Sequence, residues 1–372
     1  MSIIREKIER VMYSEEKASS SFSEMILSVF SAIYGTLIRI RDIFYRKEIF
    51  SQKRLPCKVI SIGNITVGGT GKTPMTISLA EMLTGLGYKV VVVSRGYRGR
   101  VEKKGGIVSN GREILMGPDS SGDEPFMMAA RLNNIPVVVG QNRYNAGLLA
   151  IRNFNPDIIL LDDGFQHRKL FRDIDLLLLD SGRPFGNFHL IPRGVLREPV
   201  VSIKRADAFI LTRSSSDNTV TRDTISAVSN SQPVFEAYNT FYFFKVKKGG
   251  ISNPASNFRN QLSEDSGSVA GKKVVAFSGI AGNDHFRRTL EECKCDVLEF
   301  SGFPDHHRYT AGDIERISKF VKDRSAELVM TTEKDFARMD GKFDFPVDII
   351  VVGVKMCLKD EKAFREFILS KL

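Results

Sequence analysis

The sequence has little cysteine, no mark of a secreted chain and no charge-free run of membrane-spanning length. Four cysteines (Cys57, Cys293, Cys295 and Cys357) are spread over 372 residues. Only Cys293 and Cys295 lie close together, and C-x-C is not the usual zinc or redox spacing. They read as reduced thiols in a cytosolic compartment, without a metal. The N-terminal "MSIIREKIER" mixes acids among its bases and lacks an apolar core followed by small residues, so no secretory signal is expected. Between Glu24 and Arg39 lie fourteen residues without charge, short of the ~20 needed to span a bilayer. No internal repeat or low-complexity tract is evident. Acids are the scarcer charge: 44 Asp and Glu stand against 54 Lys and Arg, a net of +10. Such an excess points to an anionic partner, whether nucleic acid, phosphate or an acidic membrane.

The excess is not spread evenly. Residues 39 to 58 hold seven bases (Arg39, Arg41, Arg46, Lys47, Lys53, Arg54, Lys58) against two acids (Asp42, Glu48). This basic stretch adjoins "SFSEMILSVFSAIYGTLIRIRDIFYR", residues 21 to 46, where apolar positions 22, 26, 29, 30, 33, 37, 40 and 44 follow helical spacing. An apolar stripe ending in bases suits a helix lying in a membrane interface near anionic headgroups. The same pattern also suits a helix packed on the protein's own core. A basic cluster beside an apolar helix, rather than interleaved with exposed aromatics, argues against a nucleic-acid partner.

From residue 58 to about 212, near-continuous apolar runs alternate with helical patterns: "KVISIG", "KVVVVS", "PVVVG", "DIILLD", "DIDLLLLD" and "ADAFILT". Strands of this kind imply a mostly parallel sheet covered on both faces. Residues 214 to 233 are polar, and "VFEAYNTFYFFKV" then reads as a hairpin or linking ribbon. Residues 248 to 271, rich in Gly, Ser and Asn, read as a loop. A second, smaller α/β unit follows. The expected organisation is an N-terminal helix region (1–50), a P-loop-type domain (51–230), a β-ribbon linker and loop (231–270) and a C-terminal α/β domain (271–372).

The glycine-rich turn "GGTGKT", residues 68 to 73, follows a strand and opens a helix. The P-loop pattern G-x-x-x-x-G-K-[ST] is met at Gly71, Lys72 and Thr73, but its first glycine is replaced by Thr66. Consecutive glycines Gly68 and Gly69 still let backbone N–H groups converge on a phosphate, helped by the positive end of the helix. Lys72 would reach the β- and γ-phosphates of a nucleotide and Thr73 could ligate Mg²⁺. A turn without ligand would leave a lysine at a helix N-terminus, an unfavourable place unless an anion is there.

Asp162 and Asp163 end a buried strand, where acids face the crevice used for ligands. Adjacent strand residues point to opposite faces, so the two cannot do the same job. Given the P-loop, an acid there would hold Mg²⁺ directly or through water; a polar strand cap is the alternative. Asp123 and Glu124 precede a helical pattern and, taken alone, suit its first turn. "LIPRGVLREP" offers Arg197 and Glu198 in a loop, and "FSGFPDHHRY" offers Asp305, His306 and His307 after a strand. A lone histidine is more often structural than catalytic, and this pair needs further support.

The set "IGNITVGGTGKTP", "VVSRGYRG", "GDEP", "DDGFQH", "PRGVLREP", "FPDHHRY" and "TTEKD", in this order, resembles the tetraacyldisaccharide 4′-kinase family of the lipid A pathway in Gram-negative bacteria. The resemblance runs from about residue 25 to 340 and is weak over 214 to 268. It implies phosphorylation, by ATP and Mg²⁺, of the 4′-hydroxyl of a membrane-embedded tetraacylated glucosamine disaccharide 1-phosphate, giving lipid IVA. It also implies a monotopic protein on the cytoplasmic face of the inner membrane, and two domains joined by a two-stranded ribbon. The oligomeric state is not implied. By motif, Asp123 is expected as general base on the sugar hydroxyl, with His306 as its partner. Lys72, Asp162 and Asp163 are expected to organise phosphate and metal. Thr66, Val67, Gly68, Gly69, Thr70, Gly71, Lys72 and Thr73 are expected to hold ATP, with Arg95, Gln166 and His167 lining a phosphate or nucleotide pocket. Thr73, Asp162, Asp163 and Glu198 are expected around Mg²⁺. Arg95 is a contact for either ATP or lipid. The competing reading is a membrane-associated P-loop ATPase or nucleotide switch, which would phosphorylate no sugar.

Overall fold

The structure is a computed structural model, and it describes residues 11–13, 22–214, 218–248, 269–339 and 344–372. Most of the expected loop at 248–271, and residues 1–10 and 14–21 of the N-terminal region, lie outside the described residues.

The first long element is helix α1, Phe22–Arg46. Its expected apolar stripe faces outward: Ile26, Val29, Phe30, Ile33, Leu37 and Ile40 are all exposed, joined by Met25 and Ile43. The face turned to the protein is a narrow row of Ser31, Gly35 and Ile38. There the Ser31 hydroxyl donates to the Leu190 carbonyl at 2.9 Å and the Tyr34 hydroxyl to that of Arg197 at 2.7 Å. A Cβ on Gly35 would come within 2.8 Å of Leu190, so glycine is what allows the close approach. The helix is therefore not a core helix. Ser23–Arg46 is long and apolar enough to cross a bilayer by length and composition (24 residues, mean hydropathy 1.3).

The chain divides into two compact units, each discontinuous in sequence. One comprises Met1–Thr76, Ile158–Tyr238 and Met356–Leu372; the other comprises Ile77–Asp157 and Asn239–Lys355.

In the first unit, β1 (Lys58–Gly63) pairs in parallel with β5 (Ile158–Asp162) and with β6 (Ile174–Asp180). Next to β6 come β7 (Ala208–Thr212) and the start of β8 (Val234–Val246), again parallel. These strands are the apolar runs expected from the sequence, and β5 and β7 are buried along their whole length. Burial on both faces removes any reason for alternation. One side is filled by Ile65, Phe165, Leu177, Leu179, Phe209 and Leu211. The turn after β1 leads into helix α2 (Lys72–Gly85).

The second unit contains β2 (Val90–Ser94), β3 (Gly106–Ser109) and β4 (Val137–Val139); β4 pairs in parallel with β2 and antiparallel with β3. Between β3 and β4 run the short helix α3 (Pro118–Ser121) and helix α4 (Asp123–Arg131). Helix α5 (Arg143–Phe154) starts at Asn142, whose side chain accepts from the amides of Tyr144 and Asn145, and ends at Asn155 in the left-handed region. Both are residues that such ends favour. The later half has strand order β10-β9-β11-β12, from β9 (Lys273–Ser278), β10 (Asp296–Gly302), β11 (Leu328–Thr332) and β12 (Asp348–Leu358). Three helices accompany it: α7 (Asn283–Glu292), α8 (Ala311–Asp323) and α9 (Glu333–Met339). Helix α6 (Thr219–Ser226) and the C-terminal α10 (Glu361–Lys371) complete the described chain.

The aromatic segment expected as a hairpin or ribbon is one thirteen-residue strand, β8. Its neighbour is β12, with Lys359 N donating to Glu236 O at one end and Lys248 N to the Asp348 carboxylate at the other. The boundaries between the two units at 238/239 and 355/356 fall within β8 and β12. The antiparallel β3, from "GIVS", is not among the strands read from the sequence: four residues between turn glycines and a polar loop carry too little periodicity.

Candidate active site

The glycine-rich turn belongs to the first unit. Gly68 and Gly71 have φ of +105° and +82°, where a side chain would be strained, and a Cβ on Gly71 would collide with the Met356 methyl. A Cβ on Gly69 would meet nothing within 4 Å, so that backbone is open to a ligand. The turn is pinned from inside: Asn64 donates to the Thr70 hydroxyl at 2.9 Å, and Gln166 donates to the Asn64 carbonyl at 2.7 Å. From outside, Arg213 donates to the Gly69 carbonyl at 2.9 Å. Thr66 bridges to Leu196, and the Val67 amide donates to the Val195 carbonyl at 2.7 Å, so that particular N–H is committed to the fold.

Lys72 opens α2, with Thr73 behind it in the first turn. Its ammonium stands 3.6 Å from Asp163, and Arg197 donates to both oxygens of the same carboxylate at 3.1 and 3.0 Å. Asp163 adopts a left-handed backbone (φ 52°), an uncommon conformation that turns it away from the strand direction. Asp162, still on β5, is buried and accepts from the Thr76 hydroxyl at 3.3 Å. The two acids are thus held by different partners. His167 lies in the same turn, its amide bonded to Gly164.

Glu198 is fully buried, one oxygen 2.5 Å from Arg41 of α1 and the other 2.5 Å from Arg205. A carboxylate matched in this way is an anchor between α1 and the loop carrying Arg197. A cation approaching it would first have to displace an arginine. Asp42 receives Arg168 at 2.7 Å beside it. Of the seven bases in residues 39 to 58, Arg54 and Lys58 also face an internal acid, Asp173.

The second cluster lies wholly in the other unit. Asp123 is the first residue of α4. His306 Nδ1 lies 2.9 Å from Asp123 Oδ2, across 183 positions of sequence. An ionised carboxylate only accepts, so Nδ1 carries the proton in this bond. His306 is itself left-handed (φ 63°), its amide bonded to the Gly279 carbonyl. Its neighbour His307 has a different task. His307 Nε2 lies 3.0 Å from Asp313, which closes the capping box of α8 with Thr310.

Arg338, buried on α9, donates to the same Asp123 oxygen through Nε at 2.8 Å. Burial pushes the Asp123 carboxyl up, but the His306 hydrogen bond with the charge and hydrogen bond of Arg338 outweigh it and hold the group at about 2. Arg95 lies in the loop after β2, paired with Glu102 at 2.6 Å. In that loop the exposed Tyr97 ring sits edge-on to His306, 6.2 Å between centroids. Arg338 and Tyr97 were not singled out by sequence reading. Arg338 lies three residues past the end of "TTEKD", and only that spacing, which puts it on one helix face with Asp335, hinted at it.

The oxygens of Thr73, Asp162 and Asp163 are of the kind that hard cations take. Among the described residues no group of three or more His, Cys, Asp and Glu side chains forms a metal cage. That is the ordinary situation for Mg²⁺, which binds through one or two carboxylates together with substrate phosphates.

A family model described as tetraacyldisaccharide-1-P 4′-kinase matches residues 23–372. The tetraacyldisaccharide 4′-kinase of Syntrophus aciditrophicus is 38% identical over 387 aligned positions, covering 99% of both chains. That of Desulfatibacillum aliphaticivorans is 39% identical, covering 100% of this chain and 99% of its own. The crystal structure of Aquifex aeolicus LpxK in complex with ATP is 32% identical with a TM-score of 0.74, covering 94% of this chain and 99% of that one. A match of this extent, spanning the glycine-rich turn, both aspartates and the Asp123–His306 pair, means that the chain belongs to the tetraacyldisaccharide 4′-kinase family.

Proposed function

We propose that this protein transfers the γ-phosphoryl group of ATP to the 4′-hydroxyl of a tetraacylated glucosamine disaccharide 1-phosphate, the lipid A precursor, giving lipid IVA. The observation that carries this reading is the family match over residues 23–372, which includes both clusters in one chain.

The roles we assign to each residue are supported by the following features of the geometry. ATP is held by the turn from Thr66 to Thr73, where Gly69 leaves backbone open and Lys72 brings a positive charge to the β- and γ-phosphates. Thr73, Asp162 and Asp163 would hold Mg²⁺, which supplies neutralisation of the triphosphate charge. Arg197, fixed on Asp163, holds that carboxylate in one orientation. Asp123 orients the sugar hydroxyl and takes its proton. A carboxylate held at about 2 is a weak base toward a free alcohol. In a loose transition state the proton leaves late, after the hydroxyl oxygen has begun to bond to phosphorus and become acidic. Orientation then matters more than basicity, and the two donors on Oδ2 supply it.

The substrate places the enzyme's work at the inner membrane. We assign α1 as the contact with its cytoplasmic surface. The outward row from Met25 to Ile43 would lie among acyl chains while Ser31, Tyr34 and Arg41 tie the opposite side to the protein. A helix held to its own protein by three polar contacts along one side favours lying in the interface over crossing it.

The deciding assay follows labelled γ-phosphate from ATP into a tetraacyl disaccharide 1-phosphate presented in detergent micelles. Label in a bisphosphorylated lipid supports the reading. Hydrolysis of ATP with no labelled lipid would favour a nucleotide switch.

A further inference from the structure

We propose that Arg338 is the positioning residue of the phosphate-accepting reaction: it fixes the Asp123 carboxylate so that Oδ2 is used up by the protein and Oδ1 is left to face the sugar hydroxyl. This rests on the reading of Asp123 as the base.

The guanidinium is nearly inaccessible, its side chain 3% exposed. It joins three stretches of chain far apart in sequence. Nε donates to Asp123 Oδ2 at 2.8 Å, while Nη1 donates to Asp335 Oδ1 at 2.8 Å and to the Gly279 carbonyl. Nη2 lies 3.7 Å from Asp305 Oδ1. Asp335 is in turn locked by the Thr332 hydroxyl at 2.6 Å and the Gly279 amide at 3.1 Å. The planar fork of arginine is therefore held on its far side before it reaches Asp123, which lysine could not reproduce.

The consequence falls on Asp123. His306 and Arg338 both donate to Oδ2, and no described residue bonds to Oδ1. The side chain keeps 23% exposure. One oxygen is thus anchored and the other available. His306 alone would leave the carboxylate free to rotate about its single hydrogen bond. With Arg338 approaching from α9 and His306 from the loop after β10, the plane of the carboxylate is determined. The other charged groups around it are already matched or farther off: Glu124 pairs with Lys334 at 3.2 Å, Asp119 with Arg308 at 3.4 Å, and Asp305 lies 3.7 Å from His306 Nε2. Arg338 is accordingly the main positive charge on Asp123 besides any proton on His306.

The test compares R338M, R338K and D123N in the lipid kinase assay, with KM for ATP and the pH dependence of kcat recorded. R338M is expected to lower kcat by at least ~10-fold while KM for ATP stays within about twofold. Its acid limb should move to higher pH, because the lost positive charge had favoured the ionised carboxylate. R338K, keeping the charge without the fork, is expected to bring the limb back toward the wild type while recovering only part of kcat. A folded R338M with wild-type kcat, or with reduced kcat and an unmoved acid limb, would overturn the proposal. If R338M melts below the assay temperature, R338K decides: reduced kcat at unchanged ATP KM supports the proposal, and undiminished kcat refutes it. D123N separates the two levels. An active D123N removes the base itself, whereas an inactive D123N beside a wild-type-like R338M removes only the role of Arg338.

Discussion

Replacing Glu198 by glutamine tests whether this buried acid is an anchor or a metal ligand. The change keeps the shape and removes the charge. In the wild-type protein each oxygen faces one guanidinium at 2.5 Å, from Arg41 and from Arg205. A glutamine offers one oxygen and one amide N–H₂ group, so one arginine would face a donor instead of an acceptor. Removing one partner of a fully buried ion pair costs roughly 3–5 kcal/mol. Here the arginines are 27% and 22% exposed, so water can take over part of their solvation and a value of about 2–3 kcal/mol is appropriate. At roughly 2–4 °C per kcal/mol for a unit of this size, the melting temperature should fall by about 4–12 °C. The assay is thermal unfolding by circular dichroism in buffer containing EDTA, with hydrogen exchange read over residues 31–41. Exchange there should rise, because Arg41 is one of the ties between α1 and the rest of its unit. An E198Q protein that melts like wild type in EDTA, yet needs far more Mg²⁺ for turnover, would refute the anchor and restore the metal ligand.

Three further outcomes are expected. K72A should lower turnover at least ~100-fold if, as proposed, the lysine presents its charge to the terminal phosphates; γ-phosphate transfer at near-wild-type rate would contradict that assignment. D123A should cost a similar factor. In the wild-type enzyme Asp123 stays ionised down to about 2, so it should contribute no acid limb above about pH 4, and any stability it lends is lost only as pH falls from near 4 through 2. An acid limb near neutrality that D123N abolishes would show the carboxyl to be far less depressed. Replacing Phe30, Ile33 and Leu37 by serine should weaken flotation with anionic vesicles while leaving the melting temperature within a degree or two, because all three point away from the protein. Unchanged flotation would mean that α1 is not the membrane contact.

Much of the fold was legible because its signals are local. "DIILLD" and "DIDLLLLD" are near-continuous apolar runs, as strands buried on both faces tend to be, and both contain strands. The turn before Lys72 was legible because glycine is needed where φ is positive, as at Gly68 and Gly71. Helix α1 was legible as a helix, but its two candidate environments differ only in which face is covered, and periodicity is the same in both. Distance in sequence hid the rest. The Asp123–His306 contact spans 183 positions and the Asp123–Arg338 contact 215. The first was suggested by resemblance to a family; for the second, the spacing from Asp335 hints only at the local pair within α9. Likewise "PDHH" offers two adjacent histidines, and their separate tasks appear only once Asp313 is seen to take His307. Glu198 was expected near Mg²⁺ on motif grounds, and no local pattern announces that Arg41, 157 positions away, joins Arg205 in enclosing it.

The division of the chain has a consequence for how the protein is made. The unit holding the nucleotide turn includes Met356–Leu372, and the methyl of Met356 lies so near Gly71 that a Cβ there would collide with it. A nascent chain leaving the ribosome therefore carries the whole turn for most of its synthesis without the residue that packs beneath it. That packing can form only after the last strand has emerged. Premature termination near residue 350 should thus impair nucleotide binding as surely as damage to the turn itself.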